Sequence, residues 1–262
     1  ATAGDTIIVR DGIYYENVDV DKSLTIKSEN GSSNCIVQAK NSEDHVFYVT
    51  ADNVTISGFT VIGAGCEKAG IYLYKSNNSR IENVIASNNS YGIYLFHSSN
   101  NTITNNIASN NGAGVVLSTF SNNNAIANNN VSSNNWYGIV LYESSSNTIA
   151  NNTVSKNDDG IFALCSSNNI IANNTVSKNE VGIILSSFSN NNTITNDIVS
   201  NNSYGIFIGS SNNNIIANNI ASNNTGFEGN EEMPPSAGII IADSNDNIVL
   251  NNTASENYYG IF

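Results

Sequence analysis

From Gly70 to the C-terminus, apolar and polar positions alternate in short bursts that recur at a nearly constant interval. The repeating unit is the stretch Gly92 to Ala113, GIYLFHSSNNTITNNIASNNGA. A glycine opens each copy at Gly70, Gly92, Gly114, Gly138, Gly160, Gly182, Gly205, Gly238 and Gly260, in steps of 22, 22, 24, 22, 22, 23, 33 and 22 residues. A period of this size marks stacked supersecondary units, each of which buries its apolar face only against its neighbours. Every unit offers three strand-like pieces too short for helices. The first is Gly-Ile-x-Leu (Ile71/Leu73, Ile93/Leu95, Ile139/Leu141, Ile183/Leu185), whose alternation points the positions one and three past the glycine inward. The second centres on an apolar residue followed by Asn (Ile103 with Asn105, Ile149 with Asn151), and the third on a small apolar residue before Ser (Ala86, Ala108, Val131, Val154). Three short parallel strands per turn predict an all-β fold: a right-handed parallel β-helix, or solenoid, with coils of about 22 residues.

Residues 1–65 hold short β-branched runs bounded by Gly, Asn, Asp or Ser, but no strict repeat. They are expected to form irregular N-terminal coils of a single domain, 1–262, with regular repeats over 66–262. The 33-residue step contains an expected inserted loop at 225–237, TGFEGNEEMPPSA. The chain stops two residues into a fresh coil, so we expect it to be part of a longer protein.

Asparagine recurs at one turn of successive coils. Copies stacked about one strand spacing apart can donate to one neighbour and accept from the other, satisfying amides at a dry corner. Asn105, Asn128, Asn151, Asn173, Asn196, Asn218 and Asn251 are expected to be this inward ladder. Several of them open an N-x-Ser/Thr triplet, for example Asn151-Asn152-Thr153 and Asn251-Asn252-Thr253. An inward-facing asparagine is closed to sugar attachment, so these triplets read first as a by-product of the repeat, leaving a few exposed sites.

Composition narrows the function. With nine Lys and Arg against 22 Asp and Glu the net charge is −13, which argues against nucleic acid as a partner. An acidic, Asn- and Ser-rich surface suits a solvated extracellular or high-salt setting. No apolar run approaches a membrane span, so no direct membrane insertion is expected. Cys35, Cys66 and Cys165 have no metal-binding spacing. A Cys35 to Cys66 disulfide is one arrangement and buried free thiols the other.

The opening GDTIIVRDGIYYENVDVDKSLTIKSENG, then DNVTISGFTV, then coils of the form GIxL…SSNNxIxNNxxSxNxxGI, resembles the NosD-like group of parallel β-helix repeat proteins. That group belongs to a wider pectin-lyase-like set of carbohydrate-binding proteins and sugar hydrolases, and Asn-rich versions look like archaeal cell-surface proteins. The resemblance spans essentially the whole chain and implies a β-helix scaffold that binds carbohydrate or associates with other surface proteins. It also implies two alternatives: a polysaccharide lyase or glycoside hydrolase, and a NosD-type accessory of copper-site maturation. For copper, the soft or imidazole ligands are His45, His97, Met233 and the three cysteines, scattered over different coils. His97 sits where other coils have Lys75, Thr119 and Glu143, a variable exposed position. We expect no cofactor and no metal.

The lyases and polygalacturonases of this fold class use Arg, Lys or His beside their acids, whereas this chain has only Arg10 and Arg80 as arginines. One cluster stands out. Immediately before the repeat glycine lie Trp136-Tyr137, Asp158-Asp159 and Glu180-Val181 in three consecutive coils, then Ser203-Tyr204. Trp136, Tyr137, Asp158, Asp159, Glu180 and Tyr204 are candidate carbohydrate contacts, the aromatic rings stacking on a sugar face. Asp158 and Glu180 occupy equivalent places one coil apart, the arrangement of a retaining glycosidase pair at about 5 Å. We nevertheless assign no catalytic residue and expect no turnover. Calcium between Asp158, Asp159 and Glu180 is a further option, and the 225–237 loop leaves the stack at this corner.

Two residues past each glycine runs a second feature: Tyr72, Tyr94, Val116, Val140, Phe162, Ile184, Phe207, Ile240 and Phe262. Alternation places them on the outside of one sheet, as an apolar stripe. Tyr72, Tyr94, Phe162, Ile184, Phe207 and Ile240 are therefore the expected interface with another surface protein, a flanking domain or a second copy of the chain.

Overall fold

The computed structural model describes residues 1–226 and 236–262. The expected loop at 225–237 therefore falls mostly outside the described residues, as does Met233. The chain winds into a parallel β-solenoid whose three faces are three eleven-stranded sheets. One coil shows the plan: Thr102–Thr104 lies in the first sheet, Ile107–Ser109 in the second and Ala113–Ser118 in the third. Each strand pairs in parallel with its copies one coil before and one coil after, in the register counted from the glycines (Ile71↔Ile93↔Val115↔Ile139). No helix occurs among the described residues.

The inward isoleucines, valines and leucines form one continuous core along the axis, with Ile93, Leu95, Ile103, Ala108, Ile126 and Ile139 fully buried. A parallel solenoid needs this arrangement, because each coil's apolar residues are shielded only by the coils on either side. The repeat glycine has a steric cause. A Cβ on Gly138 would lie 2.5 Å from the carbonyl oxygen of Gly160, 2.5 Å from Val154 Cγ1 and 2.9 Å from Asn157 Nδ2, closer than any side chain tolerates.

Residues 1–65 form the first coils of the stack, with Thr6–Val9, Gly12–Tyr15 and Val18–Val20 in the first, second and third sheets, and their coils are uneven in length, since Thr6 pairs with Thr25, Thr25 with Thr55 and Thr55 with Arg80. Gly12 opens the second of these strands.

The expected asparagine ladder needs correction. Asn105, Asn128, Asn151, Asn173, Asn196, Asn218 and Asn251 do not face inward; each is exposed and has a positive φ of 54 to 59°. The inward ladder is the next residue along: Asn106, Asn129, Asn152, Asn174, Asp197, Asn219 and Asn252. Strict alternation from Ile103 would put residue 105 inside. A left-handed residue turns the chain through the corner and shifts the alternation by one position. Asparagine tolerates that conformation better than other residues with a Cβ, so each Asn-Asn pair combines a corner former with a ladder member. The same device is used at the other two corners, where ladders run through Asn89, Asn111, Asn134 and Asn157 and through Asn101, Asn124, Asn147 and Asn169.

Asn152 shows how completely a ladder member is satisfied. Its Oδ1 accepts from the Asn129 backbone N–H at 2.9 Å and from Asn129 Nδ2 at 3.0 Å. Its Nδ2 donates to the Ile126 carbonyl at 2.8 Å and to Asn174 Oδ1 at 3.0 Å. All three cysteines are free; Cys35 is buried but Cys66 and Cys165 are exposed, so the buried-thiol expectation holds for Cys35 alone.

Candidate functional site

The acidic and aromatic residues before the repeat glycines come together at the corner where the second sheet passes to the third. Register places Tyr137, Asp159 and Val181 side by side on adjacent coils. Trp136, Asp158 and Glu180 precede them and are tied by backbone bonds from Asp159 N–H to the Trp136 carbonyl, 2.9 Å, and from Glu180 N–H to the Asp158 carbonyl, 2.7 Å. The equivalence of Asp158 and Glu180 read from the spacing is thus observed in three dimensions.

Trp136, Tyr137, Asp158, Asp159, Glu180 and Val181 line a surface concavity of about 230 Å³. Two details of the chain open it. Asn134 stands four residues before Gly138, whereas Asn111, Asn157 and Asn179 stand three before their glycines, so Asn135 is an extra residue in the turn that precedes Trp136. Beneath the indole lies Gly112, where a Cβ would come 2.7 Å from Trp136 Cζ3. The ring therefore sits against Gly112 of the preceding coil while Trp136 remains 50% exposed. Tyr137 is half-buried, its ring stacked on Phe162 with centroids 5.4 Å apart and planes 10° from parallel.

The carboxylates differ in environment. Asp158 and Glu180 are exposed, while Asp159 is half-buried between them. Its burial, reinforced by the charges of Glu180 and Asp158, pushes its carboxyl up to about 6. Chemically, the corner offers one large aromatic face and several acceptor oxygens, one of them readily protonated. That set suits a ligand with alternating apolar faces and hydroxyl donors.

Tyr204, an expected contact, is only 5% exposed and packs with Ala237 and Ile240, so it supports the corner from below and presents no ring to a ligand. Gly112, Asn135 and Val181 were missed from the sequence. The 24-residue step was the available signal for Asn135, and Val181 follows from the register of Asp159.

The stripe is in register on the outer face of the third sheet (Tyr48↔Tyr72↔Tyr94↔Val116↔Val140↔Phe162↔Ile184↔Phe207↔Ile240). It is less exposed than alternation suggests: Val116, Val140 and Ile240 are 7, 8 and 1% exposed, and the other members down to Ile240 are half-buried. The reason is lateral packing, since outward neighbours such as Tyr91, Tyr137 and Tyr204 fold over the row. At its N-terminal end the rings of Tyr48, Tyr72 and Tyr94 follow one another at 5.6 and 5.1 Å.

Metal ligands do not assemble. His45 stacks on Tyr72 at 4.2 Å and accepts the Ala69 N–H through Nδ1, and Cys35 is closed inside the core. No group of three His, Cys, Asp or Glu among the described residues is placed to hold an ion, Asp158, Asp159 and Glu180 included. The donors among the described residues, His45, His97 and the three cysteines, do not come together as a copper site.

Residues 1–181 match the family model described as periplasmic copper-binding protein (NosD), and residues 120–262 match the model of the right-handed β-helix region. A cell surface glycoprotein of Methanothermus fervidus is 45% identical over 82 residues, which is 31% of this chain and 13% of that protein. Among solved structures, the mannuronan C-5 epimerase AlgE4 A-module of Azotobacter vinelandii superposes with a TM-score of 0.74 at 15% identity, covering 99% of this chain and 89% of that one. The DFA-IIIase of Arthrobacter chlorophenolicus A6 superposes with a TM-score of 0.75 at 14% identity, covering 95% and 77%. At such identities the structural likeness shows the fold.

Proposed function

The chain belongs to the family described as periplasmic copper-binding protein (NosD), and from that premise we propose that it is a β-helix of the cell surface or envelope whose Trp136 to Glu180 corner binds carbohydrate. The observation that carries this reading is the concavity in which an exposed indole lies beside three carboxylates. An indole face stacks on the C–H face of a sugar ring, and carboxylates accept hydrogen bonds from its hydroxyls. The surface assignment draws on the cell surface glycoprotein relative and on the net charge of −13. The sugar assignment gains support from neighbours of the same fold whose names state carbohydrate chemistry, such as the mannuronan C-5 epimerase and an alpha-1,3-glucanase in complex with tetrasaccharides. A glycan array probed with wild type and Trp136→Ala tests it: retained binding in the variant, or no binding by the wild type, removes the reading.

A second reading is association with another surface protein, a flanking domain or a second copy. It is favoured by the unbroken aromatic row from Tyr48 through Tyr72 and Tyr94 on the outer face of the third sheet. A polysaccharide lyase or glycoside hydrolase is the rival at the acidic corner, favoured by a half-buried Asp159 that carries a proton near pH 6.

A further inference from the structure

Apart from Asn77-Asn78-Ser79, where Asn78 takes the left-handed position and Ser79 is the buried member, the Asn-Asn-Thr and Asn-Asn-Ser triplets at the corners are split by the fold into an outer and an inner asparagine, a division that alternation alone assigns the wrong way round. At Asn88, Asn100, Asn151, Asn173, Asn191 and Asn251 the first residue is exposed and sits in the left-handed corner conformation with φ of 54 to 60°. None of these amides has a side-chain hydrogen bond among the described residues. The second asparagine is the ladder member, committed on both sides, as Asn152 and Asn174 show. The hydroxyl residue completing the triplet lies at or near the start of the next strand, and Thr153, Thr175 and Thr253 are exposed. The acceptor and its hydroxyl therefore point to solvent from a rigid corner, while the residue between them is locked into the core.

We infer that the outer asparagines of these triplets are N-glycosylation acceptors, so that the solenoid carries sugar along its corners. In the reaction Asn Nδ2 forms a bond to the anomeric carbon of an oligosaccharide supplied as a lipid-linked phosphate. The anomeric carbon–oxygen bond to the phosphate breaks, the lipid phosphate leaves with the electron pair, and the amide proton passes to a base of the transferring enzyme. The inference rests on the surface reading above, because the transfer takes place on exported chains. Register adds a restriction. Thr153 pairs with Thr175, so Asn151 and Asn173 lie on adjacent coils about one strand spacing of ~4.8 Å apart. A glycan on one covers the other, and a single molecule carries sugar on one of the two. Asn201 and Asn223 are adjacent in the same way, with their amides bonded to each other at 2.7 Å, and are poorer acceptors.

The row also contains its own control. Asn105 is as exposed as Asn151 and has the same left-handed conformation, but Ile107 stands where a hydroxyl is needed, so Asn105 is no acceptor. Ile107 is 39% exposed and pairs on one side with the row that contains Thr153, so Ile107→Thr fits without repacking. The test is mass mapping of peptides from the protein purified from its own cell envelope, for wild type and Ile107→Thr. The expected result is sugar on outer asparagines, on Asn151 or Asn173 but not both in one molecule, none on Asn152 or Asn174, and a new site at Asn105 in the variant. Envelope protein without sugar at every triplet, sugar on the inner asparagines, or no gain at Asn105 overturns the inference and leaves the surface reading standing. Recovery from the cytoplasm alone overturns both.

Discussion

Asp197 stands in the asparagine ladder against Asn174, its Oδ1 accepting from the Asn174 backbone N–H at 2.6 Å and from Asn174 Nδ2 at 2.9 Å. Its Oδ2 occupies the place where the other members carry a donating Nδ2, and it is buried with no partner. The carbonyl and amide oxygens that a ladder Nδ2 would meet are acceptors, so only a protonated carboxyl can serve them. Burial pushes this carboxyl up to about 6, against hydrogen bonds from Asn174 and Thr195 that pull it down.

The sign of the resulting pH dependence follows. The folded pKa lies above the unfolded value of about 3.9, so the stabilisation is complete below that value and is lost as pH rises through about 6. Asp197→Asn restores the missing donor. We expect it to raise the unfolding midpoint at pH 7 by the equivalent of about 1–3 kcal/mol, with the two melting curves converging below pH 4. Asp159 titrates in the same window, but it is common to both proteins and cancels in the comparison. Equal midpoints at pH 7 would show that Oδ2 is satisfied in some other way.

Asn152→Ala removes four hydrogen bonds at a dry corner and strands their buried partners, at a cost of about 1–3 kcal/mol or more. Asn151→Ala removes no side-chain bond and costs only the lower tolerance of alanine than of asparagine for the left-handed conformation, at most about 1 kcal/mol. Asn151→Gly is expected to be nearly neutral. Thermal unfolding of the three variants ranks them, and a larger loss at Asn151 than at Asn152 contradicts the ladder.

At the Trp136 corner, a binder loses affinity with Trp136→Ala and changes only modestly with Asp158→Asn, since a neutral amide still bonds to hydroxyls. An enzyme reverses the order: Asp158→Asn or Glu180→Gln abolishes turnover while Trp136→Ala mainly weakens substrate binding. Paired affinity and reducing-end assays separate the two. We expect no sugar release from the wild type, and release that depends on Asp158 or Glu180 would make this corner an active site.

Phe162→Lys with Phe207→Lys places charges in the row that runs along the third sheet. If that row is an interface, the variant is the smaller species in light scattering. Phe162 also stacks on Tyr137, so glycan affinity is expected to fall in this variant even where association does not change. A wild type that stays monomeric at high concentration removes the association reading.

The period, the three strands per coil and the alignment of Asp158 with Glu180 were legible in the sequence, because every coil solves the same packing problem and register is counted from one glycine to the next. The inward face of Ile-x-Leu was legible for the same reason, since alternation holds within a strand. It fails at a corner. Which asparagine of each pair turns inward depends on a backbone conformation that resets the alternation, so Asn151 and Asn152 exchange roles only once the chain is folded. Exposure was equally out of reach: Tyr204 and Ile240 are buried by packing across coils, and Trp136 is free because Gly112, a full coil earlier, leaves room beneath its ring. Local chemistry repeats in the sequence and can be read there, whereas what lies above and below each residue exists only in the stack.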